Sequence, residues 1–292
     1  MVGQIIRNIS NLYTVKYENN YIECNARGKF KNKNLKPLVG DKVIFDKEKK
    51  LITELLPRKN ELLRPPICNV DQALIVISVK EPNLDKYLLD KMISIISNEG
   101  INIIICFTKL DLLEGLKKDE INEYIKYYKQ IGYDVVTNNQ TEELHRLLKN
   151  KITVLAGQSG VGKSSLLNML DNTLNLKTNV ISHALGRGKH TTRHVELLEI
   201  KDSLVADTPG FSSLNFHSMK KEEIRDSMPE FEKNKDGCKY RDCFHLKEDD
   251  CKIKELVKNG EILDSRYANY QKFLKEKDDE NDQNININFN KK

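Results

Sequence analysis

No run of apolar residues in this 292-residue chain approaches the roughly 20 needed to cross a bilayer, which excludes a helical membrane protein. The first residues, MVGQIIRNIS, lack the charged-then-apolar layout of a secretory signal, so the expectation is a cytoplasmic protein. In that reducing setting the six cysteines (Cys24, Cys68, Cys106, Cys238, Cys243 and Cys251) are not expected to form disulfides. No internal repeat is present, which excludes a repeat array.

What is there is unevenly charged. The whole chain carries +5, while residues 1–62 hold 13 Lys+Arg against 7 Asp+Glu. The basic excess therefore belongs to the N-terminal segment. Such asymmetry fits contact with nucleic acid or another polyanion, and equally a solvated basic face.

The same segment reads as short strands. YTVKYE, YIECNARGKF and DKVIFD alternate and are rich in β-branched and aromatic residues, with Gly28, Pro37 and Gly40 between them. A five-stranded barrel of the oligonucleotide-binding kind fits residues 1–62, and another small barrel would read the same way. LRPP (63–66) predicts a rigid, extended linker. The pattern then changes. Apolar strands at 73–79, 101–107, 133–137 and 152–157 alternate with helical spacing at 86–100 and 119–130. That alternation predicts a mostly parallel sheet with helices on both faces over residues 63–215. From 216 the strand pattern stops, leaving a mainly helical, cysteine-containing segment to 275. The tail 276–292 is low in complexity and predicts disorder.

Gly157-Gln158-Ser159-Gly160-Val161-Gly162-Lys163-Ser164 satisfies GxxxxGK[ST], with a strand before it and a helical run from Ser165 after it. The glycines let backbone N–H groups curl around phosphate oxygens. Lys163 brings a point charge to the β- and γ-phosphates, and the Ser164 hydroxyl suits Mg²⁺. The helix start itself favours an anion. Thr108-Lys109-Leu110-Asp111 follows a buried strand and matches the guanine-reading Asn-Lys-x-Asp, with Thr in place of Asn. The Asp111 carboxylate can accept from guanine N1–H and the exocyclic amine, a donor pair adenine lacks, while the Lys109 stem covers the base. The Thr108 hydroxyl replaces only one of the hydrogen bonds an amide would make. TKLD alone is a weak signal that reads better as a surface turn after a strand, and the phosphate loop decides against that.

Asp207-Thr-Pro-Gly210 is a DxxG segment, in which Asp207 serves Mg²⁺ and the Gly210 N–H the γ-phosphate. Before it, GRGKHTTR (186–193) offers Thr191 or Thr192 as the second metal hydroxyl, and it also suits a basic loop on RNA. Phe211 stands where many GTPases carry a water-positioning Gln, so a slow intrinsic rate is expected. His190 is the nearest catalytic candidate for orienting water, against simple packing or RNA contact. The base-reading motif precedes the phosphate loop, the reverse of the Ras-like order, which implies circular permutation. VVT (135–137) is a weak match to the loop that backs the guanine.

Cys238, Cys243, His245 and Cys251 read C-x4-C-x-H-x5-C. Three thiolates and an imidazole suit one tetrahedral Zn²⁺, and four protein ligands would make it structural. Ordinary packing accounts better for Cys24, Cys68 and Cys106.

ARGKF (26–30), PLVGDKV (37–43), PRKNELLRPP (57–66), NVDQALIV (69–76), TKLD, GQSGVGKS, GRGKHTTR, DTPGF and the Cys/His cluster together resemble the RsgA-like, circularly permuted GTPases that depend on the small ribosomal subunit. The resemblance runs to about residue 276. It implies an α/β P-loop GTPase domain with an oligonucleotide-binding-like barrel before it and a zinc-binding, mainly helical domain after it. It also implies binding to the small subunit and its rRNA late in assembly, with GTP hydrolysis stimulated there and release afterwards. The basic residues Arg27, Lys29, Lys31 and Lys33 are the candidate RNA contacts. A monomer is expected, with Mg²⁺ accompanying GTP or GDP. An RNA-binding module holding GTP only as a structural or regulatory ligand is the alternative. The basic barrel and the zinc cluster disfavour an NTPase unrelated to RNA.

Overall fold

A computed structural model describes the chain apart from residues 28, 29, 31–35, 64, 177–194, 208–214 and 290–292, and apart from the side chains of 63, 207 and 281–289. The chain forms two compact units. One comprises Met1–Pro82, Ile104–Leu113 and Val136–Ser212; the other comprises Asn83–Ile103, Glu114–Val135 and Ser213–Lys292. This division differs from the expected boundaries at 62 and 215. Changes of element type along the chain mark where patterns switch, whereas compactness depends on contacts between segments far apart in sequence.

In the first unit, β1 (Val2–Ile9), β2 (Leu12–Tyr17), β3 (Asn20–Ala26), β4 (Lys42–Asp46) and β5 (Leu51–Leu55) close into a barrel of order β1-β2-β3-β5-β4. Strand alternation fills it. Along β2, Tyr13, Val15 and Tyr17 point inward, where Ile5, Cys24, Phe45 and Ile52 are also buried. The segment read as a rigid linker is instead a hairpin, β6 (Glu61–Leu63) against β7 (Pro66–Cys68). Prolines favour extended backbone, and a strand end satisfies that preference as well as a linker does. Arg58 fastens this region to the barrel, donating through Nε and Nη2 to the fully buried Asp41 at 2.7 Å each.

The sheet follows: β8 (Gln72–Ser78), β9 (Asn102–Thr108), β10 (Asp134–Thr137), β11 (Ile152–Ala156), β12 (Leu197–Ile200) and β13 (Ser203–Asp207), in the order β10-β9-β8-β11-β13-β12. β11 pairs in parallel with both β8 and β13, and β12 closes the edge antiparallel to β13. β8 is buried along its whole length, as its unbroken apolar sequence requires of a central strand. Leu74, Val76, Leu155, Leu166, Leu167 and Val205 belong to one apolar core beneath the Lys163–Leu170 helix.

The second unit contains helices Lys86–Asn98, Leu116–Gln130, Lys221–Asp226, Pro229–Glu232, Lys252–Lys258 and Asp264–Phe289. Asp85 caps the first, accepting from the Leu88 amide at 2.9 Å. At the centre Arg266 is fully buried, donating to Asp90 at 2.7 Å and to Glu230 at 2.7 and 2.9 Å. The last helix continues past 276, where composition predicts disorder, through Phe289. Glu276 accepts from Tyr87 and Lys91, and the buried Lys277 donates to the carbonyls of Phe216 and His217. Composition hides these partners, which lie more than 50 residues away in sequence. Among the described residues no helix is long and apolar enough to cross a membrane.

Candidate nucleotide and metal sites

Strand β11 runs straight into the glycine-rich loop, and the loop into the Lys163–Leu170 helix. Gly157 adopts φ +137°, and a Cβ there would lie 2.2 Å from the Val76 carbonyl oxygen, so no other residue fits. Gly162 caps the helix at φ +96°, a left-handed conformation. Lys163 Nζ curls back over the loop and donates to the carbonyls of Gly157 at 2.8 Å and Gln158 at 2.7 Å. Its charge thus lies beside the amides that a phosphate would meet. Ser164 is buried in the first helical turn, and Ser165 follows it on the exposed side.

Thr108 ends β9 and is only 3% exposed. Its hydroxyl donates to the Val161 carbonyl at 2.6 Å, with the Ile77 carbonyl farther off at 3.3 Å. A hydroxyl has one proton to give, so the short contact is the bond. Thr108 therefore ties the base-reading segment directly to the phosphate loop. Lys109 takes a left-handed φ of +60°, which turns the chain into the short Leu110–Leu112 helix, and its ammonium donates to the Glu81 carbonyl. Asp111, in the middle of that short helix, is exposed, and among the described residues it accepts no hydrogen bond. Beyond β10, the Asn138 amide donates to the Phe107 carbonyl and Gln140 braces Thr137, which places the 137–140 loop beside the base-reading strand.

Asp207 ends β13 opposite Leu155 of β11, on the strand adjacent to the one that feeds the phosphate loop. Ser164, at the start of the helix that follows the phosphate loop, is buried. Gly210, His190, Thr191 and Thr192 lie outside the described residues, as do Lys29, Lys31 and Lys33. Of the four RNA candidates only Arg27 is described, and it is exposed at the end of β3.

The cysteine–histidine cluster is brought together. The ligand atoms of Cys238, Cys243, His245 and Cys251 lie within 4.8 Å of one another. His245 Nδ1 is 3.6 Å from Cys238 Sγ and 3.3 Å from Cys251 Sγ, and the two sulfurs are 3.9 Å apart. Ligands of a tetrahedral zinc, with S at about 2.3 Å and N at about 2.0 Å, are separated by roughly 3.5–3.8 Å, so this set fits. Burial pushes the Cys243 thiol up to about 12 and, aided by the Arg225 charge, the His245 imidazole down to about 4. A neutral imidazole is the ligating form, and a bound dication would hold the thiols as thiolates. Supports that sequence spacing did not reveal hold the loop. Glu248 accepts from the Phe244 and Leu246 amides at 2.7 Å each. Tyr267 and Tyr270, three residues apart on the last helix, donate to the carbonyls of His245 and Phe244.

Comparison with known proteins agrees with this geometry. A family model described as RsgA GTPase matches residues 55–217, and one described as RsgA N-terminal domain matches 2–51. A third, described as 50S ribosome-binding GTPase, matches 152–291. The chain is 47% identical to the Small ribosomal subunit biogenesis GTPase RsgA of Geobacillus kaustophilus, over 94% of this chain and 96% of that protein. The chain belongs to the RsgA GTPase family. Among solved structures, YloQ, described as a circularly permuted GTPase, superimposes with a TM-score of 0.81 at 39% identity, covering 96% of this chain and 95% of that one. YjeQ from Thermotoga maritima gives 0.80 at 35%, covering 93% and 96%. The fold is thus the circularly permuted GTPase of the RsgA family, with a barrel before it and a cysteine–histidine cluster after it. The Thr108 hydroxyl, standing where the motif usually has Asn, supplies a tie to the phosphate loop at Val161.

Proposed function

We propose that this protein hydrolyses GTP to GDP and phosphate as a late maturation factor of the small ribosomal subunit, with hydrolysis stimulated by that subunit. The observation that carries this reading is the 2.6 Å bond from Thr108 to Val161, which joins a guanine-reading loop to a phosphate loop across a permuted sequence. Asp111 selects guanine, and Lys109 covers the base. The amides from Gly157 to Ser165, with Lys163, hold the phosphates. Ser164 and Asp207, with Thr191 or Thr192, hold Mg²⁺, which on binding neutralises developing phosphate charge. The Gly210 amide meets the γ-phosphate and His190 orients the attacking water. Cys238, Cys243, His245 and Cys251 hold one structural Zn²⁺. Arg27, Lys29, Lys31 and Lys33 contact rRNA phosphates.

Along the chain the roles fall to residues 1–62 for RNA, 63–215 for GTP and 216–275 for zinc. The protein works as a cytoplasmic monomer. Support for the ribosomal partner comes from the relatives, which carry small-subunit biogenesis in their names. The test is GTP turnover alone, with isolated small subunits and with isolated large subunits. Stimulation by small subunits alone supports the reading. Stimulation by large subunits alone would transfer it to the partner named in the 50S-binding family model, and GTP binding without turnover would leave a regulatory RNA-binding module.

A further inference from the structure

Strands β12 and β13 form a hairpin whose closed end is the turn at Lys201 and Asp202 and whose open end carries two important connections. Asp207 leaves β13 there, one residue beyond Ala206, the partner of Leu197. The chain enters β12 there directly from the segment containing Thr191 and Thr192. Both metal-directed segments thus hang on one two-stranded ribbon at the edge of the sheet.

An edge strand exposes unpaired backbone groups and is free to shift unless something covers it. Here the barrel covers it, within the same compact unit. β1 makes an isolated antiparallel bridge, Arg7 to Glu196, and the Arg7 Nε and Glu196 carboxylate are 3.8 Å apart. Farther along, the Glu199 carboxylate receives two barrel side chains. Lys16 of β2 pairs with one oxygen, and the Tyr21 hydroxyl of β3 donates to the other at 2.6 Å. Lys16 and Glu199 are each about 29% exposed, partly shielded from water.

We propose that Lys16, Tyr21 and Glu199 form a coupling clamp, positioning residues through which polyanion binding at the barrel sets the β12–β13 ribbon and so the rate of GTP hydrolysis. This rests on the proposed subunit-stimulated activity. Glu199 touches neither nucleotide nor metal in that scheme, and its effect is exerted through the ribbon. Two contacts from different barrel strands to one carboxylate fix its position where one contact would allow it to pivot.

The test compares turnover with and without saturating small subunits for wild type, Glu199→Gln, Tyr21→Phe, Lys16→Glu and the double variant Lys16→Glu/Glu199→Lys. GDP affinity, co-sedimentation with subunits and melting temperature are measured on each. The stimulated rate of Glu199→Gln should fall about tenfold, within the 5–150-fold range of allosteric couplings, while basal turnover, GDP affinity and co-sedimentation hold. Tyr21→Phe should lose less. Lys16→Glu should lose at least as much as Glu199→Gln, and the charge-swapped double variant should recover most of that loss. Full stimulation in folded Glu199→Gln overturns the clamp, as does a double variant no better than Lys16→Glu. Absence of stimulation in wild type would instead overturn the proposed function.

Discussion

At the phosphate loop the working groups are backbone amides, and the chain achieves their arrangement by omitting side chains. Gly157 passes where a Cβ would lie 2.2 Å from a carbonyl of the neighbouring strand. At the cysteine–histidine loop the working groups are four side chains, and the backbone serves to present them. His245 accepts a left-handed φ of +60° there, with its carbonyl held by Tyr267. The first site is rigid through the sheet it grows from. The second has no sheet beneath it and depends on the ion it would hold, on the Glu248 brace and on two tyrosines of the last helix. Backbone sites fail when a side chain is added, and side-chain sites fail when one is removed.

Removing zinc should give the largest effect, because structural zinc contributes on the order of 10–16 kcal/mol of apparent binding energy in small peptides. Chelation, or Cys243→Ser, should unfold the second unit by circular dichroism while GDP titration still finds partial binding. Natively purified protein without metal by elemental analysis would remove this side of the contrast. Gly157→Ala is the mirror experiment. It forces a Cβ into Val76 and a disfavoured φ, so it should cost more than about 3 kcal/mol and abolish nucleotide binding, read by melting temperature and GDP titration.

Asp111→Asn sharpens the contrast at the side chain proposed to select the base. Guanine nucleotide affinity should fall by about two orders of magnitude or more and preference should move to xanthine nucleotides, because the donor–acceptor pattern inverts. Equal binding of ATP and GTP by the unaltered protein would end that assignment. Thr108→Val removes the hydroxyl that ties the two nucleotide loops and leaves the Val161 carbonyl unpaired. A loss of about 1–3 kcal/mol in stability, with weaker GDP binding, is expected in denaturation and titration.

The smallest effect concerns Glu199. Burial raises its proton affinity, but hydrogen bonds from Lys16 and Tyr21, with the Lys16 charge, outweigh that and hold it below the ordinary carboxylate value. A depressed acid stabilises the folded state above its unfolded pKa and loses that contribution as pH falls through the folded value. Glu199→Gln should therefore be less stable than wild type at neutral pH by no more than about 1 kcal/mol, with the difference shrinking as pH falls below the unfolded value of about 4.3 and gone below the folded one. A difference that persists at low pH would assign the effect to packing.

Much of this was legible in sequence because the signals are local. The phosphate loop announces itself through three glycines and a lysine that phosphate chemistry requires at fixed spacing, and strand–helix periodicity located β8, β9, β10 and β11 to within a residue or two. The clustering of Cys238, Cys243, His245 and Cys251 was legible for the same reason, since a compact set of soft-donor residue types is a local pattern. The prolines at 65 and 66 gave extended backbone correctly but could not distinguish a linker from the hairpin β6–β7. The charged composition after 276 hid a helix whose Glu276 and Lys277 find partners near residues 87, 91, 216 and 217.

The sequence by itself determined which groups are available for chemistry: the glycine-rich loop, the Asp111 carboxylate, the cysteine–histidine set, and the permuted order in which they come. Those follow from covalent structure and short-range backbone preference, which neighbouring residues decide. Only the tertiary structure decided that the Thr108 hydroxyl closes on Val161, that Glu248 and two tyrosines brace the cysteine–histidine loop, and that barrel residues Lys16 and Tyr21 converge on Glu199. Each of those depends on residues separated by between 2 and 183 positions meeting within hydrogen-bond distance, and the longest of them carry no local pattern. Sheet order and barrel closure set those meetings, and they are properties of the folded chain as a whole.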